Sequence, residues 1–271
     1  MLLYGHRGAS AHFPENTSIA FNKALESKLV DGVECDIQLL NSGHIIVLHD
    51  TTLDRTSYNK HDYLHIPVDK LDYSNIKNIN IGNKSYSQNI LLLQEFIELV
   101  YKSNKRCLIE IKGDNPNIID KIISIIDKNP KLMTFIYNNI FWISFNLNLL
   151  KKLKLVNNKL KIIYIGWYDL DKDMEHFTLE QKKRWMEDKI KSDMDRILEL
   201  GFNGIDLYLD LSVDSYRQIT KSIVDYAKIH NLIIGVWVSK QLNPLSDNGD
   251  SIRQCDSLGI DFFTSDLPFI V

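Results

Sequence analysis

Short apolar runs recur along the chain, and stretches with apolar positions at helical spacing separate them. The runs predict strands at Leu2–Gly5, Gly32–Leu39, His44–His49, Arg106–Ile111, Phe141–Phe145, Lys161–Ile165, Gly204–Leu207, Ile233–Val238 and Phe262–Thr264. Helices are predicted at Ser18–Ser27, Leu91–Ser103, Asn117–Asn129, Asn148–Lys154, Leu179–Leu200, Ser212–His230 and Asp250–Leu258. Strands joined through helices form βαβ units and a parallel sheet. About eight such units in roughly 250 residues are the pattern of a (β/α)8 TIM barrel.

One strand is surplus to that count. Gly32–Leu39 and His44–His49 are separated only by residues 40–43, too few for a helical crossover, and Asn41-Ser42-Gly43 is turn chemistry. This stretch reads as a hairpin, with one strand antiparallel or outside the barrel closure. Residues 51–90 are polar and weakly periodic. They predict a small insertion after the third strand, with too little apolar material for a core of their own. The whole of 1–271 is then one barrel domain. The charged, aromatic stretch from Trp167 to Lys191 predicts a loop leading into a helix above the barrel mouth.

Composition narrows the function classes. The chain has 271 residues, is 44% hydrophobic and 25% charged, and carries a net charge of −3. That balance is ordinary for a globular protein and lacks the basic excess of a nucleic-acid binder. Cys35, Cys107 and Cys255 are odd in number and widely spaced, which offers neither a disulfide framework nor zinc spacing. They are expected in buried positions. No apolar run approaches the ~20 residues of a membrane span. The first predicted strand begins at residue 2, so no signal peptide is read and a cytoplasmic location is expected.

The candidate chemistry gathers at predicted strand ends. Gly5-His6-Arg7-Gly8 closes the first strand and brings a proton-transfer group and a permanent cation to one point, between glycines that permit a tight turn. Glu34 and Asp36 alternate with Val33, Cys35 and Ile37, so the two carboxylates share one face of a buried strand. Buried charges are costly unless paired or bound to metal. The hairpin register sets Asp36 across from Leu48 and brings His49 close to both acids. Glu110 and Lys112 share a face of another strand and could form a structural ion pair. With Glu34 and Asp36, Glu110 also completes a set of three hard oxygen donors, which suit Mg²⁺, Ca²⁺ or Mn²⁺ better than zinc.

In order and spacing, several motifs resemble the glycerophosphodiester phosphodiesterase family. They are Gly5-His6-Arg7-Gly8, Pro14-Glu15-Asn16-Thr17, Glu34-x-Asp36, His49-Asp50-x-Thr52-Leu53-Asp54-Arg55-Thr56, Glu110-x-Lys112, Ser144-Phe145, Trp237 and Thr264-x-Asp266-x-Pro268. The resemblance implies a TIM barrel that hydrolyses a small glycerophosphodiester to glycerol 3-phosphate and an alcohol. It implies one divalent cation, Mg²⁺ or Ca²⁺, on Glu34, Asp36 and Glu110. His6 and His49 take the roles of general acid and base, Arg7 and Lys112 clamp the phosphate, and Trp237 contacts substrate. Two departures stand out. Asn89-Ile90-Leu91-Leu92-Leu93 replaces the family's Ile-Pro-Thr-Leu, and Ser239 stands where Asn is common.

Competing readings are a lyase-like, phospholipase-D-type enzyme that stops at a cyclic phosphate, and an idle barrel that binds phosphorylated ligands. A metal-dependent amidohydrolase is weaker, because no His-x-His follows the first strand. Trp167, Tyr168 and Tyr208 are read as rim packing, and Asp206 as packing behind the site. Asp266-Leu267-Pro268 is read as barrel closure and a turn. The pair His61 and His65 lacks the Glu of a zinc-protease helix and is read as metal-free.

Overall fold

The structure, a computed structural model, describes residues 1–59, 61–170, 174–208, 210, 215–238 and 247–269. Its strands are β1 (Leu2–Gly5), β2 (Gly32–Leu39), β3 (Ile45–Val47), β4 (Arg106–Ile111), β5 (Ile140–Ser144), β6 (Lys161–Gly166), β7 (Gly204–Tyr208), β8 (Ile233–Trp237) and β9 (Phe262–Ser265). They run in the order β1-β9-β8-β7-β6-β5-β4-β2-β3, and β1 also pairs with β2 to close the ring. Every pairing is parallel except β2 with β3. The predicted barrel and hairpin are both present. Gly32 and Val33 pair with β1, and Ile37 to Leu39 pair with β3, so the hairpin partner takes over β2 beyond the end of β1.

The helices are α1 (Ser18–Glu26), α2 (Tyr73–Ile76), α3 (Leu93–Ser103), α4 (Asn117–Asp127), α5 (Pro130–Asn139), α6 (Leu147–Val156), α7 (Leu179–Glu199), α8 (Lys221–Ile229) and α9 (Gly249–Leu258). Helix α5 is missing from the sequence reading. Asn129-Pro130 looks like a stop, yet Pro130 sits in the first turn, where its absent N–H costs no hydrogen bond. The helix expected from Ser212 begins only at Lys221, where the Thr220 side chain accepts from the Ile223 N–H. Residues 212–214 of that expectation lie outside the described residues. Among the described residues, no helix is long and apolar enough to cross a membrane.

Strand alternation separates two environments. Val33, Cys35, Ile37, Cys107, Ile109 and Ile111 face outward into the core shared with the helices. Inside the barrel, Tyr4, Leu108, Phe141, Ile143, Ile163, Ile165 and Phe262 form an apolar plug. The three cysteines are buried and free.

The 51–90 segment packs on the hairpin. Leu53, Val68, Leu71, Ile76, Ile81 and Ile90 gather on Leu40, Ile46 and Leu48 as a cluster separate from the main core. The hairpin makes this possible. Ile45 and Val47 face the main core while Ile46 and Leu48 face the insertion, so one short strand serves both.

Candidate active site

The loop after β1 is shaped by its backbone. Arg7 has φ 54° and Gly8 has φ 87°, both in the left-handed region. A Cβ on Gly8 would stand 2.6 Å from the Ala20 carbonyl carbon, so α1 packs where only glycine fits. A non-glycine residue there carries about 1–2 kcal/mol of strain. Arg7 is held there from three sides. Its N–H donates to Glu34 Oε2 at 3.0 Å, its Nη1 donates to Glu15 Oε1 at 2.9 Å, and its Nε lies 3.2 Å from Asp36 Oδ2.

The three carboxylates meet above the plug. Asp36 and Glu110 are partners in the β2–β4 register, and oxygens of Glu34, Asp36 and Glu110 lie within 4.8 Å of one another. All three side chains are buried. Asn16, itself in the left-handed region, donates its Nδ2 to Asp36 Oδ2 at 2.9 Å. Lys112 Nζ lies 2.9 Å from Glu110 Oε1 and 3.5 Å from Asp36 Oδ1.

Each histidine is anchored through Nδ1 to a carboxylate. His6 Nδ1 lies 2.6 Å from Asp266 Oδ1, and His49 Nδ1 lies 2.8 Å from Asp50 Oδ1. That contact fixes the ring and leaves Nε2 for other work. In His6, Nε2 stands 3.9 Å from Glu34 Oε2. His6, Arg7, Glu34, His49, Glu110, Lys112 and Trp237 all line one cavity of about 270 Å³, together with Ile143, Phe145, Ile165, Asp206 and Thr264. Asp36 lies behind its wall.

The profile of the glycerophosphoryl diester phosphodiesterase family matches residues 6–268. A glycerophosphodiester phosphodiesterase from Caldanaerobacter subterraneus subsp. tengcongensis is 31% identical over 239 residues, covering 75% of this chain and 92% of that one. The chain belongs to the glycerophosphoryl diester phosphodiesterase family. The fold agrees with solved structures. A phosphodiesterase from Oleispira antarctica, in complex with the product sn-glycerol-3-phosphate, superposes with a TM-score of 0.73 at 19% identity, covering 99% of this chain and 94% of that one. A glycerophosphodiester phosphodiesterase from Thermotoga maritima gives a TM-score of 0.66 at 22% identity, covering 99% and 95%.

In this family member the electrostatics of the acidic cluster are unbalanced without a cation. Burial, then Asp36, pushes the Glu110 carboxyl up to about 7. Burial, then Asp36 and Glu110, pushes Glu34 well above the usual range. For Asp36, burial alone would raise the value, but Arg7, Lys112 and His49 outweigh it and hold the carboxyl far below. Asp36 Oδ1 has no hydrogen-bond partner among the described residues. One buried oxygen with an ion-pair neighbour but no hydrogen bond, and two carboxyls reluctant to ionise, are the features a hard divalent cation would satisfy. The residues fit Mg²⁺ or Ca²⁺.

Several participants escaped the sequence reading. Asp266 binds His6 across 260 positions, and nothing local in the chain announces that pairing. Glu15 bridges Arg7 to Arg55, which donates onward to Asp50 at 2.7 and 2.8 Å. Proximity to the His-Arg turn was the available signal for Glu15. Asp206 lines the cavity instead of packing behind it. Trp167 stacks on Trp237 at 5.8 Å and Tyr208 meets it tilted at 4.9 Å, without either lining the cavity. Ser144 turns away and donates to the Ile111 carbonyl, while Phe145 forms cavity wall. Ser239 lies outside the described residues. His65 binds Asp54 at the exposed surface, away from the acidic cluster.

Proposed function

We propose that this chain hydrolyses glycerophosphodiesters to glycerol 3-phosphate and an alcohol, using a divalent cation and two histidines. One observation carries the reading. Carboxylate oxygens of Glu34, Asp36 and Glu110 converge within 4.8 Å of one another, and Glu34 and Glu110 line a single cavity with His6, His49, Arg7 and Lys112.

Glu34, Asp36 and Glu110 would hold the cation, which supplies Lewis-acid stabilisation of charge on the phosphate oxygens. Arg7 and Lys112 add permanent positive charge at the same place, the electrostatic contribution that dominates many such reactions. His6 and His49 serve as the acid–base pair: one takes a proton from the attacking oxygen and the other returns one to the leaving alkoxide. Each such transfer is worth ~10²–10⁴-fold. The glycerol hydroxyl next to the phosphate is already tethered and has the advantage of high effective molarity, so it is expected to attack first, expelling the alcohol and forming a cyclic phosphate that water then opens to glycerol 3-phosphate. Trp237 presents an aromatic face to the bound diester.

The test is a panel of glycerophosphodiesters assayed with and without EDTA, each restored with Mg²⁺ or Ca²⁺ alone. Release of glycerol 3-phosphate, followed by phosphorus NMR, is the expected result. Turnover that ignores EDTA would remove the cation. Accumulation of a stable cyclic phosphate would make the chain a lyase, and failure on every diester would leave a binding barrel.

A further inference from the structure

The acidic cluster occupies one side of the cavity, and the opposite side carries polar atoms with nothing to bind. Asp206 on β7 is 2% exposed, and its Oδ1 has no hydrogen-bond partner among the described residues. Thr264 on β9 is also 2% exposed, and its Oγ1 is equally unpartnered. Both residues line the cavity. Between them, on β8, Trp237 carries an indole Nε1 that is buried and unpartnered as well. The register explains the grouping: Thr264 pairs with Trp237, and Asp206 pairs with Gly235, the inward-facing position before Trp237. At Gly235 a Cβ would meet the Phe262 ring at 1.9 Å, so that position offers no side chain of its own.

Buried polar atoms in native proteins are nearly always satisfied, and three orphans on adjacent strands point to a missing ligand. Asp206 does not belong to the set of carboxylates that converges within 4.8 Å, so the cation does not account for it. Thr264 and Trp237 are poor cation ligands but ordinary hydrogen-bonding groups. The apolar side chains Ile143 and Ile165 share the cavity with them, so the space suits a short carbon chain bearing hydroxyls. The deep, closed position favours the part of the substrate that stays constant. The variable head group would leave past Phe145, which is 41% exposed.

Resting on the phosphodiesterase reading, we propose that Asp206 and Thr264 hold a free hydroxyl of the substrate's glycerol moiety and so select deacylated glycerol esters. Asp206 accepts from the hydroxyl, and Thr264 adds a partner of either sense. An ester lacking the hydroxyl leaves these buried groups unpaired, which is how a polar pocket rejects an analogue.

The test is calorimetric titration of the full chain with sn-glycerol 3-phosphate and with methyl phosphate, in millimolar calcium or magnesium chloride. The wild-type chain should bind glycerol 3-phosphate the more tightly. Asp206→Ala and Thr264→Val should each cut that preference by about 3–10-fold, the range one hydrogen bond commands, with methyl phosphate binding unchanged. Thr264→Val conserves volume, and Asp206→Asn provides a folded variant if the alanine does not fold. Equal wild-type affinity for the two esters would overturn the proposal. So would a variant that weakens both esters alike, because the residue would then act through the cation or the fold. A wild-type chain that binds neither ester would end the phosphodiesterase reading itself.

Discussion

His6 and Asp266 sit 260 positions apart, yet the His6 ring nitrogen lies 2.6 Å from the Asp266 carboxylate. The contact is made where β9 meets β1 to close the barrel; His6 N–H also donates to the Ser265 carbonyl at 2.8 Å. Asp266 in turn accepts from Ser10 Oγ at 3.2 Å. A carboxylate on Nδ1 fixes the orientation of the imidazole and leaves Nε2 free to face the cavity.

Asp266→Asn is therefore expected to lower kcat by roughly 10²-fold, toward the low end of what a placed proton-transfer group contributes, with KM little changed. His6→Ala should cost more. The double variant discriminates: on a His6→Ala background, Asp266→Asn should cost almost nothing further, while a merely structural loss would add to it. Losses in kcat that add in the double variant would show that Asp266 does not act through His6.

Cation binding should depend on pH. Glu110 ionises only near 7 in the cation-free chain, and Glu34 is raised in the same sense. A cation must displace those protons, so affinity should rise with pH through about 7 and then level off. The sign for stability follows. A raised carboxyl binds more protons folded than unfolded, so its contribution falls as pH rises from the ordinary Glu range toward 7. The added cation opposes that loss. The rise in melting temperature on adding Ca²⁺ or Mg²⁺ should thus be larger at pH 7.5 than at pH 5, by about the same logic. A pH-independent shift would refute the assignment of Glu110 as a ligand.

The ion-pair relay from Arg7 through Glu15 and Arg55 to Asp50 ties the Arg7 side chain to the carboxylate that holds His49. Arg55 donation, ahead of burial, holds Asp50 down at about 2, so that carboxylate stays charged beside His49. Glu15→Ala breaks the relay in its middle. The expected loss is about 1–3 kcal/mol of stability, between the value of a surface pair and that of a buried one, because Arg55 is 44% exposed at its side chain. A double-mutant cycle with Arg55→Ala should show strong coupling. Additive losses would mean that the relay is not a unit.

Gly8→Ala should be among the most damaging small changes available. Its φ of 87° and a 2.6 Å approach to the Ala20 backbone leave no room for the methyl group. Loss of several kcal/mol is expected, since the strain falls on packed backbone. Chemical denaturation would measure it. A variant of wild-type stability would show that α1 can shift away from the turn.

The packing of the insertion and the presence of α5 both depend on context beyond local pattern. Residues 51–90 hold enough apolar side chains for a cluster only because Leu40, Ile46 and Leu48 lend theirs from the hairpin. Such a core has no local periodicity to read. Helix α5 was hidden by a proline whose effect depends on its position within the first turn.

Much was nonetheless written in the order of residues alone. Alternation along β2 and β4 fixed which side chains turn inward, so Glu34, Asp36 and Glu110 could be grouped before any fold was known. The His-Arg turn with its glycines, and the His49-Asp50 pair, are likewise local patterns. Contacts made by closing the ring were decided elsewhere. Asp266 reaches His6, and Asp206 and Thr264 line one cavity with Glu34 and Glu110, because eight parallel strands among the described residues join the first to the last. Side-chain facing obeys a period of two and is readable strand by strand, whereas apposition across a barrel depends on stagger and closure, which belong to the assembled sheet.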